Sequence, residues 1–324
     1  MLKIRDKEIR NGIIVAPLAG IGNEAFRQLC FEFGAGLVYT EMVSDKAIYY
    51  GNEKTMKMLE VSDDHHPISL QLFGSDPQTM VYAAKVLDKK TNCDFIDINM
   101  GCPVNKVVKT GAGSALMKRE DEAAIIVRQI VENVDKPVSV KMRLGWDREH
   151  LNYLSLARKL QDAGASAVAL HARTRSQMYE GKADWKHIRL LKEELSIPVF
   201  GNGDVCSVAD YIAMKQETGC DGVMIGRALV GNPFLIKEID NYLQGKEKIE
   251  VSDEDKFTYC LKHAQKLMAI TSEKNAISQM RGLAVHYIAG MYKASYFKEK
   301  MNRMQTYQDL EDIISEYRDF LHSS

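Results

Sequence analysis

The side chains able to do chemistry in this 324-residue chain gather at or just after short apolar runs. Gln71 lies inside ISLQLF, Asn99 near the end of FIDINM with Cys102 just beyond it, and Lys141 and Arg143 in VSVKMR. His171 and Arg173 follow AVAL, Asn202-Gly203-Asp204 follow PVFG, and Gly226-Arg227 follow GVMI. Glu41 ends a second run, and Pro17-Leu18-Ala19 follow the first. Polar groups within apolar strands are costly unless they find partners. Their recurrence at corresponding places therefore predicts one shared rim. In Asn99-Met100-Gly101-Cys102-Pro103 the glycine and the pre-proline position impose a loop backbone, which exposes the Cys102 thiol at that rim. A lysine placed like Lys141 binds an anion or forms a Schiff base, or else reaches outward from an edge. Gly201, Gly203 and Gly226 with Arg227 have the features of a phosphate cradle, ordinary turn glycines being the alternative. His171 taken alone reads as a satisfied core histidine. No His/Cys/Asp/Glu set has metal-ligand spacing, and there is no GxSxG elbow.

The elements that must position these residues repeat. Eight runs, at 13–16, 37–40, 68–73, 95–100, 138–142, 167–171, 198–202 and 222–226, are rich in Val, Ile and Phe. That composition suits strands buried on both faces. Between them the spacing predicts helices, with Ser75-Asp76-Pro77 as a start signal and Ala123, Ile126, Val127, Ile130 and Val131 on one apolar face. Further helices are expected over 147–163 and 207–218, and the stretch 45–60 is mixed. Eight alternating β and α units favour a closed (β/α)8 TIM barrel with chemistry at the strand ends. The APLAGIG after the first run does not match a Rossmann GxGxxG. After residue 243 the strand-like runs stop and several amphipathic helices follow. The expected organisation is a barrel over 1–243 and a helical domain over 244–324.

Composition narrows the class. The chain is 45% hydrophobic and 27% charged with a net charge of −1, an ordinary globular balance that excludes disordered and collagen-like readings. The longest apolar stretch is far short of the roughly 20 residues of a membrane span, and MLKIRDKEIR is no signal peptide. The six cysteines include no CxxC pair and read as reduced thiols of a cytoplasmic protein.

At this point the motifs carry a resemblance. NMGCP at 99–103, TGAGSALM at 110–117, VKMRLGWD at 140–147, HARTRSQMYEGKADW at 171–185 and GNGDV at 201–205 resemble the tRNA-dihydrouridine synthases. APLAG, QLFGSDP and the helical tail agree, so the likeness covers nearly the whole chain and leans toward the bacterial, nitrogen-regulation-like branch. The resemblance implies FMN at the barrel mouth, NADPH as reductant, and saturation of the C5=C6 bond of a uracil in tRNA. It places Pro17, Leu18 and Ala19 along the flavin, with Gln71 and Lys141 at its ring. Asn202, Gly203, Asp204, Gly226 and Arg227, with His171, would take the ribityl-phosphate end. Cys102 would be the proton donor, with Asn99, Arg143 and Arg173 near the substrate. The 110–114 segment would let the Cys102 loop close. No protein partner is implied, and a monomer is expected.

Rival readings are a flavin barrel acting on a free pyrimidine such as dihydroorotate, a Schiff-base aldolase using Lys141, and an RNA-binding protein whose catalysis is lost. The HARTR and KADW segments and the tail argue against the first, and the intact Cys102, Lys141 and Arg227 set against the last. Within the tail, residues 256–303 carry nine Lys/Arg and two acids. Lys262 and Lys266 are one helical turn apart, and Arg281, Lys293, Lys298, Lys300 and Arg303 extend the stripe, which suits phosphate contacts. Reversing the charges of Arg281, Lys298 and Arg303 is expected to weaken tRNA affinity in a filter-binding assay while flavin content stays the same. Unchanged affinity would move the RNA contact elsewhere.

Overall fold

The computed structural model describes residues 2–323. A short antiparallel hairpin of β1 (Leu2–Ile4) and β2 (Lys7–Ile9) comes first. Eight parallel strands follow: β3 (Ile13–Val15), β4 (Leu37–Ser44), β5 (Ile68–Phe73), β6 (Phe95–Met100), β7 (Val138–Arg143), β8 (Ala167–His171), β9 (Val199–Asn202) and β10 (Gly222–Ile225). Each pairs with the next and β10 pairs with β3, so the expected closed barrel is observed. Every apolar run of the sequence becomes a strand.

Strand parity decides what faces inward. Successive side chains alternate across the wall, and Phe95, Ala167, Ala169 and Phe200 join one interior cluster. Asp97 and Asn99 share the parity of Phe95, His171 that of Ala169, and Asn202 that of Phe200. The register sets Gln71 beside Asp97, Asp97 beside Ser139, and Asn99 beside Lys141. Ile96, Ile98, Val140 and Met142, of opposite parity, are fully buried. Ile4 and Ile9 of the hairpin join the interior cluster with Ile14, Leu37 and Phe95, close to where the strands begin. The hairpin thus plugs the end away from the chemistry, a feature hidden in a segment too charged to read as strand.

Helix starts follow local chemistry. Asp76 caps the helix Pro77–Lys90 by accepting from the N–H groups of Gln78 and Thr79, with proline in the first turn. Two expectations are corrected. The mixed stretch 45–60 is two short helices, Asp45–Tyr49 and Glu53–Lys57, separated by Gly51 at φ +68°. The helix expected over 147–163 is only Tyr153–Asp162. Asp147 folds the residues that follow it into a turn by accepting from the N–H groups of Glu149 and His150 at 3.0 and 2.9 Å.

The chain divides into two compact units. One runs to Asn23 and takes in Ala35–Gly226; the other comprises Glu24–Gly34 and the chain from Arg227 onward. The expected boundary at 243/244 therefore lies inside the second unit, and the helix Glu24–Glu32 belongs there too. Aromatic packing explains the membership: Phe33 meets Phe234 at 5.1 Å and Tyr259 at 4.7 Å between ring centroids. Capping boxes at Ser252/Asp255 and Thr306/Asp309 start the helices Asp253–Ile270 and Tyr307–His322. Phe297 stacks on Tyr317 at 3.7 Å inside this bundle.

Gly36, just before β4, is a close-approach glycine. A Cβ there would land on Asn11 Oδ1, the acceptor of the Ile13 N–H, and lie 2.6 Å from the Asn11 carbonyl oxygen. Gly36→Ala is expected to destabilise the barrel unit by about 1–3 kcal/mol through overpacking. Circular-dichroism melting should show a lower Tm, and an unchanged Tm would refute the packing argument.

Candidate active site

The C-terminal ends of the strands bring Gln71, Asn99, Lys141, His171 and Asn202 to one rim. Pairing sets Asn99 against Lys141, Arg143 against His171, and His171 against Asn202. Gln71 is fully buried, donating Nε2 to Asp97 at 2.7 Å and accepting from Asn99 Nδ2 at 2.8 Å. The Asn99 amide oxygen accepts from the backbone N–H groups of Gly101 at 3.1 Å and Cys102 at 2.8 Å.

Cys102 is half-buried and its backbone is gripped from both sides. Asn99 holds its N–H, while its carbonyl accepts from Ser114 N–H at 3.1 Å and Ser114 Oγ at 2.9 Å. Gly113 lies at φ +61°, and a Cβ there would be 2.8 Å from the Cys102 carbonyl oxygen. The segment expected to let this loop close is thus packed against it, as a 3-10 turn over Gly113–Lys118. Burial pushes the Cys102 thiol above its ordinary pKa and outweighs the nearby Arg143 and Lys141 charges. At neutral pH the group is a thiol, suited to giving a proton rather than attacking.

Lys141 is half-buried on the same rim, and its ammonium makes no hydrogen bond or ion pair among the described residues. Burial, then Arg143, brings its ammonium pKa down to about 8, against the pull of Asp97 and Cys102. A partly desolvated cation without a partner is a ready receptor for an anionic or electron-rich group.

The two arginines expected near substrate have structural partners. Arg143 and Arg173 are each only 2% exposed. Arg143 donates to the carbonyls of Gly101 at 2.9 Å, and of Thr174 and Met178 at 2.8 Å. Arg173 donates to the carbonyls of Glu180 and Gly181 and pairs with Asp204 at 2.7 Å. Both act as braces that fix the loop after β8. Asp204, at φ +59°, also accepts from the Ala183 N–H at 2.7 Å, so its carboxylate serves that loop. The cradle glycines divide similarly. A Cβ on Gly201 would strike Met214 Sδ at 2.7 Å and one on Gly203 would strike Ala183 Cβ at 2.7 Å, so protein packing explains both. Gly226 is roomier, 3.5 Å from Ala16 Cβ. Asn202 donates to the Met224 carbonyl at 2.7 Å. Arg227, next in the chain after Gly226, is exposed and opens a 3-10 turn. The loop of Pro17, Leu18 and Ala19 is held by the Gly22 N–H, which donates to the Leu18 carbonyl at 2.7 Å. The Gly20 N–H, just beyond, donates to Glu41 at 2.5 Å.

In the second unit the basic stripe is partly neutralised. Lys262 and Lys266 both reach Glu32 at 2.8 Å, and Lys300 is paired with Glu316. Arg281 donates to the Met304 carbonyl and to Gln305, each at 2.7 Å, and exposed Arg303 pairs with Glu299 one turn away. Lys298 is half-buried.

Sequence reasoning passed over Asp97, Ser139, Tyr39 and Ser114. A signal existed for the first two: Asp97 has the parity of Asn99, and Ser139 that of Lys141. A surface cavity of about 350 Å3, lined by Met56, Leu59, Val86 and Lys90 among others, shares none of the rim residues.

With the geometry in place, comparison with known proteins is informative. The family model described as dihydrouridine synthase matches residues 14–322. The chain is 37% identical over 321 residues to tRNA-dihydrouridine synthase B of Pseudomonas syringae pv. tomato, covering 98% of this chain and 94% of that protein. It is 36% identical to a probable tRNA-dihydrouridine synthase 1 of Synechocystis, covering 97% of this chain and 88% of the relative. Among solved structures, an old yellow enzyme homologue from Zymomonas mobilis shares the fold with TM-score 0.55 at 13% identity, covering 79% of this chain and 94% of the other. Histamine dehydrogenase from Rhizobium sp. 4-9 aligns with TM-score 0.56 at 16% identity, over 83% of this chain and 50% of the other.

The lowered Lys141 pKa has a direct readout. In protein stripped of small ligands, a 13C-dimethylated Lys141 resonance, assigned by its loss in Lys141→Met, is expected to titrate near pH 8, charged below and neutral above. A midpoint at the ordinary lysine value of roughly 10.4 would mean that the ammonium is solvated.

Proposed function

The chain belongs to the dihydrouridine synthase family, and from that premise we propose that it reduces the C5=C6 bond of uridines in tRNA to 5,6-dihydrouridine, with FMN as bound cofactor and NADPH as reductant. The observation that carries this reading is the Cys102 thiol, kept protonated by burial and held in place on the rim that also bears unpartnered Lys141. The residues fit a flavin. Lys141 offers the positive charge that stabilises a reduced, anionic ring, a usual way for a protein to tune this cofactor. Pro17, Leu18 and Ala19 would line it, and Gln71 would stand with Lys141 at its ring. Asn202, His171, Gly226 and Arg227 take the phosphate end, and Gly203 and Asp204 contribute backbone because the Asp204 carboxylate is held by Arg173. When bound, FMN supplies the hydride for C6 of the uracil. Cys102 delivers the proton to C5, and Asn99 sets where that thiol stands.

A uracil inside folded tRNA must be turned out of its stack at a cost of a few kcal/mol. Contacts elsewhere on the RNA offset that cost, and Lys298, Arg303 and Arg281 are the cations assigned to them. Such a reaction belongs in the cytoplasm, with tRNA. Among the described residues no helix is long and apolar enough to cross a membrane.

The test begins with the visible absorption spectrum of the purified protein and identification of the released chromophore. Bound FMN is expected; no flavin uptake, even with FMN added, would sink the reading and return Lys141 to a sugar phosphate. In Cys102→Ala, NADPH should still bleach the flavin while dihydrouridine yield from unmodified tRNA falls by about a hundred-fold or more. Full yield would remove Cys102 as the acid.

A further inference from the structure

Asp97 is fully buried on the inward face of β6, in an interior that also holds Phe200 of β9 and Tyr39 of β4. A carboxylate there costs desolvation that an apolar residue would not, and no ion pair offsets it among the described residues. Its contacts suggest what the cost serves. Oδ2 accepts from Gln71 Nε2 at 2.7 Å and Oδ1 from Ser139 Oγ at 2.6 Å.

An ionised carboxylate only accepts hydrogen bonds. Gln71 must therefore turn its NH2 toward Asp97, which leaves Oε1 to receive the Asn99 Nδ2 donor at 2.8 Å. Asn99 in turn must present Oδ1 to the N–H groups of Gly101 and Cys102. Reversing either amide would set donor against donor or acceptor against acceptor. Three side chains on two adjacent strands thus form a one-way chain from the barrel interior to the backbone of Cys102.

We propose that Asp97 is a positioning residue for uridine reduction: by dictating the amide orientations of Gln71 and Asn99, it fixes the backbone from which the Cys102 thiol delivers its proton. The proton step rests on the function proposed above; the positioning does not. Protonation of Asp97 would let it donate and would remove the directionality. Burial already raises its carboxyl pKa to about 6, against Ser139, Gln71 and Lys141. The titratable groups facing it are Tyr39 from β4 and Lys141 from β7.

The experiment follows Cys102 alkylation by iodoacetamide, mapped by mass spectrometry because Cys206 is exposed while Cys102 is half-buried, in flavin-loaded and flavin-stripped protein. Asp97→Asn and Gln71→Met are compared with Thr79→Val, whose hydroxyl donates to buried Asp45 at 2.6 Å with no link to Cys102. Asp97→Asn and Gln71→Met are expected to speed Cys102 alkylation about ten-fold, the scale of one lost buried hydrogen bond. Thr79→Val is expected to leave it unchanged. In Asp97→Asn, kcat for dihydrouridine should fall by a similar factor with KM and NADPH-driven flavin reduction intact. The acid limb of the wild-type kcat profile near pH 6 should also vanish. Wild-type alkylation and turnover in Asp97→Asn would overturn the proposal, and so would equal acceleration in Thr79→Val, which would signal general softening. If Asp97→Asn does not fold, Gln71→Met decides by alkylation alone. A wild-type protein that makes no dihydrouridine would refute the proposed function, while the alkylation comparison would still decide the positioning.

Discussion

A closed barrel leaves its inward polar side chains no sheet edge and little water, so each must find a partner across the wall or remain unsatisfied. Gln71, Asp97, Asn99 and Ser139 satisfy one another in a connected set. Lys141, beside Asn99 in the register, does not join that set. The contrast separates structure from function on a single surface. The satisfied groups hold shape, and the Lys141 ammonium is the cation that the proposed function assigns to the cofactor.

The same economy governs the loops. Arg143 and Arg173 are buried cations that would be very costly unpaired, yet carbonyl oxygens and Asp204 surround them. Their rigid forks each tie several backbone points, so the loop after β8 becomes an extension of the wall. Ser114 and Asn99 do likewise for the Cys102 loop, from opposite sides of one residue. Under the proposed function, a proton donor set this way keeps its geometry without substrate, which lowers the ordering cost of the reaction.

In the helical unit, charge counted along the sequence overstates charge available to a partner. Lys262 and Lys266 share Glu32, which lies in the helix Glu24–Glu32 and joins this unit only by folding. Lys300 and Arg303 have acidic neighbours, and such exposed pairs are weak enough to exchange for phosphate oxygens. Under the proposed function, RNA binding through them would be strongly salt-dependent.

Much of the barrel was legible because its signals are local. Eight apolar runs gave eight strands, the cap at Asp76 gave a helix start, and position at the strand ends put Asn99, Lys141 and His171 on one rim. Motif residues such as Cys102 were legible through loop chemistry and resemblance. What stayed hidden depends on register and long-range packing. The hairpin that plugs the barrel reads as a charged tail, because only Leu2, Ile4 and Ile9 among its described residues pack on the interior cluster. The helix Glu24–Glu32 shows its amphipathic face in sequence, yet its allegiance to the second unit rests on Phe33 meeting Phe234 and Tyr259. Sequence determined which residue types reach the rim; tertiary structure decided which of them are taken up by one another. The reason is physical: parity repeats every two residues within a strand, whereas a hydrogen-bond partner is fixed only when the strands of a closed barrel settle into one register.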